Sequence, residues 1–107
     1  MGGGEFGRLP IAQLTNKKNT SAAGRDHGPR GFSIWMAGGG IKPGITYGGT
    51  DDIGFAAEEN PVSIAGWHAT VLHQLGLYHH DLFFERNGLK ERLTDTFEPR
   101  IVKEILA

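Results

Sequence analysis

The chain has 107 residues, of which 38% are hydrophobic, and its 11 basic and 12 acidic side chains almost balance. This length suffices for one small domain, the hydrophobic content is too high for a disordered chain, and no block of like charge indicates a nucleic-acid or anionic-membrane partner. The sequence contains no cysteine, which excludes disulfides and thiolate metal sites, and no apolar run approaches the ~18 residues of a membrane span.

A glycine-rich opening and a polar stretch come first in the chain. We interpret residues 2–7 as the end of a strand whose preceding part is absent, because glycines let a backbone turn sharply or pass close to a ligand. Residues 11–23 are rich in Asn, Lys, Thr and Ser, which predicts a surface loop.

The next stretch, residues 24–31, carries most of the chain's candidate chemistry. It reads Gly24-Arg25-Asp26-His27-Gly28-Pro29-Arg30-Gly31, so a carboxylate, an imidazole and two guanidinium groups stand close together. The short apolar run over residues 31–37 predicts a strand buried on both faces. A charged cluster beside a central strand is a common active-site arrangement in α/β proteins. The alternative is a salt-bridge network of Arg25, Asp26 and Arg30 that braces the loop.

A helix over residues 64–75 is the clearest element of the sequence. Ser63 is a plausible N-cap, and Gly76 can end the helix in a left-handed conformation. His68 falls on the predicted apolar face, where it is either a core residue or a metal ligand, whereas His73 should meet solvent. The side chains predicted to pack this helix on strand 31–37 are Trp67, Val71 and Leu75.

A hairpin and a second helix complete the predicted elements. Asn87-Gly88 separates residues 83–86 from residues 89–93, and this dipeptide between two strand-forming runs predicts a β-hairpin. Pro99 at a first turn, followed by an apolar stripe, predicts a helix over residues 98–106.

Two pairs of adjacent polar residues are candidate cation ligands. Asp51 and Asp52 lie in a turn cluster, where adjacent aspartates are more often simply solvated. His79 and His80 resemble a metal pair, but neighbouring side chains diverge in regular structure, so an ordinary surface position is the alternative.

The order of short motifs along the chain resembles a known family. The motifs, in order, are Gly3-Gly4-Glu5-Phe6-Gly7-Arg8, Gly24-Arg25-Asp26-His27, Ala37-Gly38-Gly39-Gly40-Ile41, Tyr47-Gly48-x-Thr50-Asp51, Pro61-Val62-Ser63, His68-Ala69-Thr70-Val71-Leu72-His73-x-Leu75-Gly76-Leu77 and Val102-Lys103-Glu104-Ile105-Leu106-Ala107. Each motif is moderately specific, and their joint order is highly specific. The chain resembles the C-terminal end of the bacterial family catalogued as domain of unknown function 1501.

This resemblance implies a fold, an activity and a location. The family is placed in the alkaline-phosphatase and sulfatase superfamily, so the implied fold class is α/β, with residues 1–107 a single partial domain from the C-terminal part of a sheet with flanking helices. Superfamily enzymes hydrolyse phosphate or sulfate esters with metal ions and a Ser, Thr or formylglycine nucleophile. That nucleophile would belong to a missing N-terminal part, so the chain alone is expected to be inactive. A periplasmic or exported location is implied as well.

The superfamily pattern can be laid on the chain in two ways. In that pattern a late strand ends in Asp-His-Gly, whose Asp and His both contact metal, and a later His or Lys precedes another strand. The preferred alignment puts Glu5-Phe6-Gly7 at the first place and His27 at the second, because strand 31–37 follows His27. The other makes Asp26-His27-Gly28 the Asp-His-Gly motif. In the preferred alignment Phe6 replaces a histidine ligand, which puts a two-metal site in doubt.

The resemblance also implies site residues. The implied metal ligands are Glu5, Asp26, His27 and His68. These hard and borderline ligands suit a divalent ion such as Ca, Mg, Mn or Zn. Arg8 and Arg25 are the implied catalytic residues, because guanidinium groups neutralise the charge that a sulfate or phosphate ester carries on its oxygens. The implied partner is therefore a small anionic ester.

The site has an expected geometry and a competing interpretation. Glu5 and His27 should come within roughly 4–8 Å of each other, so that one ion about 2.0–2.2 Å from each ligand can bridge them. His68 is the expected third ligand, and Asp26 is expected to orient the His27 ring. The competing function is a non-catalytic surface or carbohydrate-associated module that keeps the hydrolase fold without its chemistry, and Phe6 favours it.

Overall fold

A computed structural model of the chain describes residues 1–13 and 23–107. The chain forms two compact units, one made of Met1–Gly38 and Thr46–Pro61 and the other of Gly39–Ile45 and Val62–Ala107. The expectation of a single partial domain over residues 1–107 stays a prediction. In the described ranges, no helix combines the length and the apolar character needed to cross a membrane.

The first unit consists of short antiparallel strand pairs. Its strands are β1 (Gly2–Gly3), β2 (Gly7–Gln13), β3 (Gly24–Gly28), β4 (Ile34–Trp35), β5 (Gly49–Thr50) and β6 (Ala57–Glu59). Within the described residues, β1 pairs with β4, β2 with β3, and β5 with β6. The loop predicted over residues 11–23 is therefore wrong at its start, where β2 runs to Gln13, and residues 14–22 lie outside the described residues.

Glycine permits the pairing of β1 with β4. Gly2 lies opposite Trp35 and Gly3 opposite Ile34, and a Cβ on either glycine would collide with the facing side chain. The two strands can approach closely because one of them carries no side chains. β4 nevertheless remains exposed, because Trp35 keeps 61% of its surface accessible.

Asp51 closes the turn between β5 and β6. Its carboxylate oxygens accept hydrogen bonds from the backbone amides of Phe55 at 2.7 Å and Ala56 at 3.2 Å. Aspartate commonly stabilises turns through such contacts with nearby backbone N–H groups. Neither of the two interpretations drawn from the sequence, cation binding or plain solvation, included this turn-forming contact.

The second unit contains the helix and the hairpin predicted from the sequence. Its elements are α1 (Ile64–Gln74), β7 (Phe83–Arg86), β8 (Leu89–Arg92) and a 3₁₀ turn over Lys103–Ile105. The Ser63 hydroxyl accepts from the Gly66 amide at 3.0 Å, and Gly76 has the left-handed φ of 76° expected after a helix. β7 and β8 pair across Asn87-Gly88, whose φ values of 52° and 79° suit a tight hairpin turn.

A buried threonine joins the helix to the C-terminal segment. Thr70 has no exposed surface, and its hydroxyl donates to the Gly66 carbonyl at 2.7 Å and accepts from the Val102 amide at 2.9 Å. Among the described residues, Ala69 and Val102 are the buried apolar side chains. The hydroxyl therefore lies beside the small apolar core and links α1 to the C-terminal segment.

The predicted α/β fold class, a C-terminal part of an alkaline-phosphatase-like sheet with flanking helices, is wrong. The strands described here form separate antiparallel pairs, and the described ranges contain one α-helix. The predicted strand over residues 31–37 is reduced to Ile34–Trp35, whose partner is only two residues long. Its apolar run was interpreted as buried on both faces, but its side chains are largely exposed.

The predicted helix over residues 98–106 is also wrong, apart from the single 3₁₀ turn. The Ile101–Ala107 backbone is held by long-range contacts instead of helical ones. The Val102 amide binds Thr70, Lys42 donates its amide to the Ile105 carbonyl at 2.9 Å, and Ala107 donates to the Gly40 carbonyl at 2.9 Å. These tertiary hydrogen bonds outweigh the local helical pattern, which is a weak preference.

Replacement of Thr70 by Val should lower the free energy of unfolding of the second unit by about 1–3 kcal/mol, because the buried Val102 amide loses its acceptor. Urea denaturation followed by far-UV circular dichroism measures the loss. The same change at the exposed Thr96 is the matched control and should stay within about 0.5 kcal/mol of the parent chain. Equal stabilities for the two variants would contradict a structural role of the hydroxyl.

Candidate functional site

The pairing of β2 with β3 positions the charged residues of the first unit. Gly7 lies opposite Gly28, and Arg8 lies opposite His27. Gly28 is buried, and a Cβ at Gly7 would clash with the carbonyl oxygen of Gly31, so the strands meet closely at this end. The two glycines therefore bring the residues beside them, Arg8 and His27, onto adjacent positions of one ribbon.

Glu5 and His27 form the closest pair of candidate ligands in this unit. The His27 Nδ1 atom lies 3.6 Å from the Glu5 Oε1 atom, slightly nearer than the expected separation. This distance is too long for a good hydrogen bond. Two donors that share one ion at about 2.0–2.2 Å each lie no more than about 4.4 Å apart, so 3.6 Å is compatible with a shared cation. The metal roles assigned to both residues remain a prediction.

Phe6 completes this side of the cluster. Its ring meets the His27 imidazole edge-on, with the ring centroids 5.8 Å apart. An edge-to-face contact of this kind favours one orientation of the imidazole. Phe6, which stands in place of a histidine ligand in the preferred alignment, therefore contacts His27, which stands at the second position of that alignment.

Arg8 and Arg25 share the face of the ribbon that carries His27. Arg8 faces His27 directly across the strand pair, and Arg25 lies two residues before His27 on the same strand. Cross-strand neighbours and alternate residues of a strand project from the same side. The Arg8 Nη1 group also donates to the Arg25 carbonyl oxygen at 3.3 Å. The two guanidinium groups and the nearby Glu5 carboxylate together carry a formal net charge of about +1.

Asp26 does not make the expected contact with the His27 ring. Its Oδ1 atom accepts a hydrogen bond from the backbone amide of His27 at 2.7 Å, so it contacts the backbone and not the imidazole ring. Strand alternation also places it on the face opposite His27. Nor does Asp26 form an ion pair with Arg25 or Arg30 within the described part of the chain; the Arg30 guanidinium instead lies 5.5 Å from the centre of the Phe55 ring.

His68 belongs to the second unit and is exposed, which contradicts its predicted inward position on the apolar face. The buried residues of α1 are Gly66, Ala69 and Thr70, so the helix packs through its small side chains, and Leu75 remains 69% exposed. The His68 ring lies against Trp67 with centroids 4.9 Å apart. The metal role of His68 stays a prediction, and His73 is exposed as expected.

No group of three or more His, Asp or Glu side chains in residues 1–13 and 23–107 is arranged to hold a metal ion. Of the predicted ligands, the two whose side chains lie together are Glu5 and His27. Two ligands would leave at least half of a cation's coordination positions to water or to a bound anion.

The second unit contains another cluster of titratable side chains, and the sequence did not predict that part of it is buried. His79 is 5% exposed, and its ring packs on Tyr78 and His80 with centroid distances of 5.1 and 4.4 Å. Both nitrogens of His79 lack a hydrogen-bond partner among the described residues. The available signal was the run of three ring-bearing residues after the helix, because neighbouring rings can pack on one another and bury part of their surface.

The surroundings of His79 disfavour protonation of its ring. Burial is the main cause that lowers the pKa of His79 below 6.5, His80 and Arg92 lower it further, and Glu98 acts in the opposite direction. His80 is engaged on both nitrogens, by Arg92 Nη1 at 2.6 Å and by Glu98 Oε2 at 3.2 Å. The plain surface position proposed for this pair is wrong for His79.

Comparison with protein families gives one firm result. A family model described as a protein of unknown function (DUF1501) matches residues 1–106. No curated protein and no solved structure matched the chain. The match covers nearly the whole chain and confirms the family predicted from the order of the motifs.

Replacement of Gly7 by Ala should destabilise the β2–β3 pair by about 1–3 kcal/mol, because the new methyl group overlaps a backbone carbonyl. Amide hydrogen exchange across β2 and β3 measures the loss. Gly24→Ala is the matched control, since a Cβ at that glycine meets nothing within 4 Å. Protection of these amides that is unchanged in Gly7→Ala would contradict the close approach described above.

Stability of the second unit should decrease as pH falls below 6.5, the pKa of histidine in an unfolded chain. The folded pKa of His79 is lower, so between the two values the unfolded state binds more protons and acid favours unfolding. Urea midpoints between about pH 7.5 and pH 5 measure the effect. His79→Phe should flatten this dependence, whereas His73→Phe should not. Parallel pH profiles for the parent chain and His79→Phe would refute the prediction.

Proposed function

The chain belongs to the DUF1501 family, and from that premise we propose that its first unit takes part in the metal-dependent hydrolysis of small sulfate or phosphate esters. The observation that carries the proposal is the 3.6 Å approach of His27 Nδ1 to Glu5 Oε1, with Arg8 directly opposite His27. A carboxylate, an imidazole and guanidinium groups are the side chains that such a reaction requires.

Glu5 and His27 are the proposed metal ligands. The imidazole makes Zn or Mn better candidates than Ca or Mg, because the latter two prefer oxygen ligands throughout. A metal ion held there would supply Lewis-acid polarisation of an ester oxygen. The exposure of both side chains, 45% for His27 and 78% for Glu5, leaves room for the anion and for water beside the ion.

Arg8 and Arg25 are the proposed contacts to the anionic group. A guanidinium presents five N–H donors in a planar fork, which matches two oxygens of a sulfate or phosphate. The hydrogen bond from Arg8 to the Arg25 carbonyl uses one of these donors and restrains the side chain. A restrained guanidinium loses less side-chain entropy when it binds an anion.

The alkaline-phosphatase and sulfatase superfamily, which the motif order resembles, uses this combination of metal ions and anion-binding side chains. The resemblance supports the chemistry of the proposal. The proposal does not include the α/β sheet of that superfamily, because the described strands form antiparallel pairs.

A non-catalytic module is the second candidate function. Phe6 favours it, because phenylalanine cannot bind metal and its ring stands 5.8 Å from His27. The exposed Phe6 ring offers apolar contact area, and the neighbouring guanidinium groups offer hydrogen-bond donors, so the face can hold a ligand without any reaction. In this alternative the same face binds an anionic or carbohydrate ligand and no metal is required.

Titration of the chain with ZnCl₂ and MnCl₂, with the backbone amide resonances of β2 and β3 observed by NMR, tests the metal part of the proposal. We expect these amides to shift saturably with Zn²⁺ and to broaden saturably with the paramagnetic Mn²⁺. Glu5→Gln or His27→Ala should weaken binding by at least roughly tenfold, since loss of even an outer-shell partner has that effect. His73→Ala is the matched control because His73 is exposed on α1. It should leave the affinity at the His27 site unchanged.

Titration of the metal-loaded chain with sodium sulfate and sodium phosphate tests the anion part. Arg8→Gln and Arg25→Gln should each weaken anion binding by roughly tenfold, the value of a charge-assisted hydrogen bond, while leaving metal affinity intact. Anion binding that persists without metal supports the non-catalytic module. Equal metal affinity in His27→Ala and the parent chain would rule out the proposed metal site.

A further inference from the structure

A groove in the second unit is separate from the residues discussed above as metal or ester ligands. Its volume is about 490 Å³, within the roughly 300–1,000 Å³ of typical small-molecule sites. It is lined by the three consecutive rings that follow the helix and by the segment that precedes the C-terminus. The lining includes Tyr78, His79, His80, Pro99, Ile101 and Lys103.

His79 is the unusual member of this lining. It is 5% exposed, yet neither ring nitrogen has a partner among the described residues. Buried polar groups are nearly always hydrogen-bonded, so two unpaired nitrogens on one ring call for an explanation. His80 offers no such capacity, because Arg92 and Glu98 engage its two nitrogens.

The charges around the groove favour a monoanion. Arg100 and Glu104 also line it and form an ion pair with each other, and Glu98 lies beside His80 and Arg92. Lys103 adds one further positive charge to the lining. The groove wall therefore carries a net charge of about +1.

The rest of the lining is apolar and partly aromatic. Tyr78 is 55% exposed, and Pro99 and Ile101 add apolar surface to the lining. An exposed tyrosine ring can stack on a flat ligand, and a lysine can pair with a carboxylate at its edge. This combination of one flat apolar wall and one cation matches a molecule that has both a ring and a carboxylate.

We propose that this groove binds a small aromatic carboxylate, with Tyr78 against its ring, Lys103 at its carboxylate and His79 as the hydrogen-bond partner. Both His79 nitrogens are covered by neighbouring atoms, so binding includes rotation of the imidazole toward the groove. The bound ligand then satisfies a nitrogen that the free protein leaves unpaired. This site does not depend on the function proposed for Glu5 and His27.

NMR titration of the full chain with sodium benzoate tests the site, with benzamide as the neutral molecule of the same shape. Benzoate should shift the backbone amides of Tyr78, His79 and Lys103 and should bind at least roughly tenfold more tightly than benzamide, as expected for a lost charge-assisted contact. Lys103→Gln should remove that preference. Lys90→Gln makes the same change at a lysine outside the groove and should preserve it.

His79→Phe keeps a ring of similar size and removes both nitrogens. It should weaken benzoate binding by roughly tenfold, the value of a hydrogen bond to a charged group. If this variant fails to fold, the Lys103→Gln comparison still decides the question, because Lys103 is exposed. Benzoate and benzamide of equal affinity, or shifts that avoid the groove residues, would overturn the proposal.

Discussion

The hydroxyl of Thr70 is the interaction on which the second unit depends. It donates to Gly66 within the helix and accepts from Val102 in the C-terminal segment. The apolar core among the described residues is very small, with Ala69 and Val102 as its buried apolar members. Hydrophobic burial scales with area, so a core of this size contributes little, and each buried hydrogen bond matters correspondingly more. The C-terminal backbone also pairs with residues 40–42.

Local signals in the sequence were sufficient where an element depends only on neighbouring residues. Ser63 caps the helix it precedes, and Gly76 ends it with a positive φ. Asn87-Gly88 forms the hairpin turn because both residues accept positive φ at low cost. In each case the energetics are set within about four residues, the range over which a helix turn or a tight hairpin is closed.

The failures lie where distant contacts decide the structure. Residues 98–106 carry a helical pattern, but their amides and carbonyls bind Thr70 and residues 40–42 instead. Residues 31–37 form only a two-residue strand because their partner is the pair Gly2–Gly3. His68 was assigned to a buried face from the positions of large apolar residues, whereas α1 buries glycine, alanine and threonine. Periodicity identifies which residues share a face but not which face finds a partner.

The two candidate sites differ in what holds their residues. Glu5 and His27 are exposed, and an exposed ion pair typically contributes only about 0.2–1 kcal/mol to folding. Their proximity is fixed by the backbone, through the glycines that close β2 on β3, and not by their own attraction. The fold therefore loses little stability when a ligand separates two side chains that are held together in this way. His79 is held by burial, and its unpaired nitrogens are a cost that the fold bears until a ligand enters the groove. The first site is therefore governed by charge and sensitive to salt, whereas the second is governed by shape and desolvation.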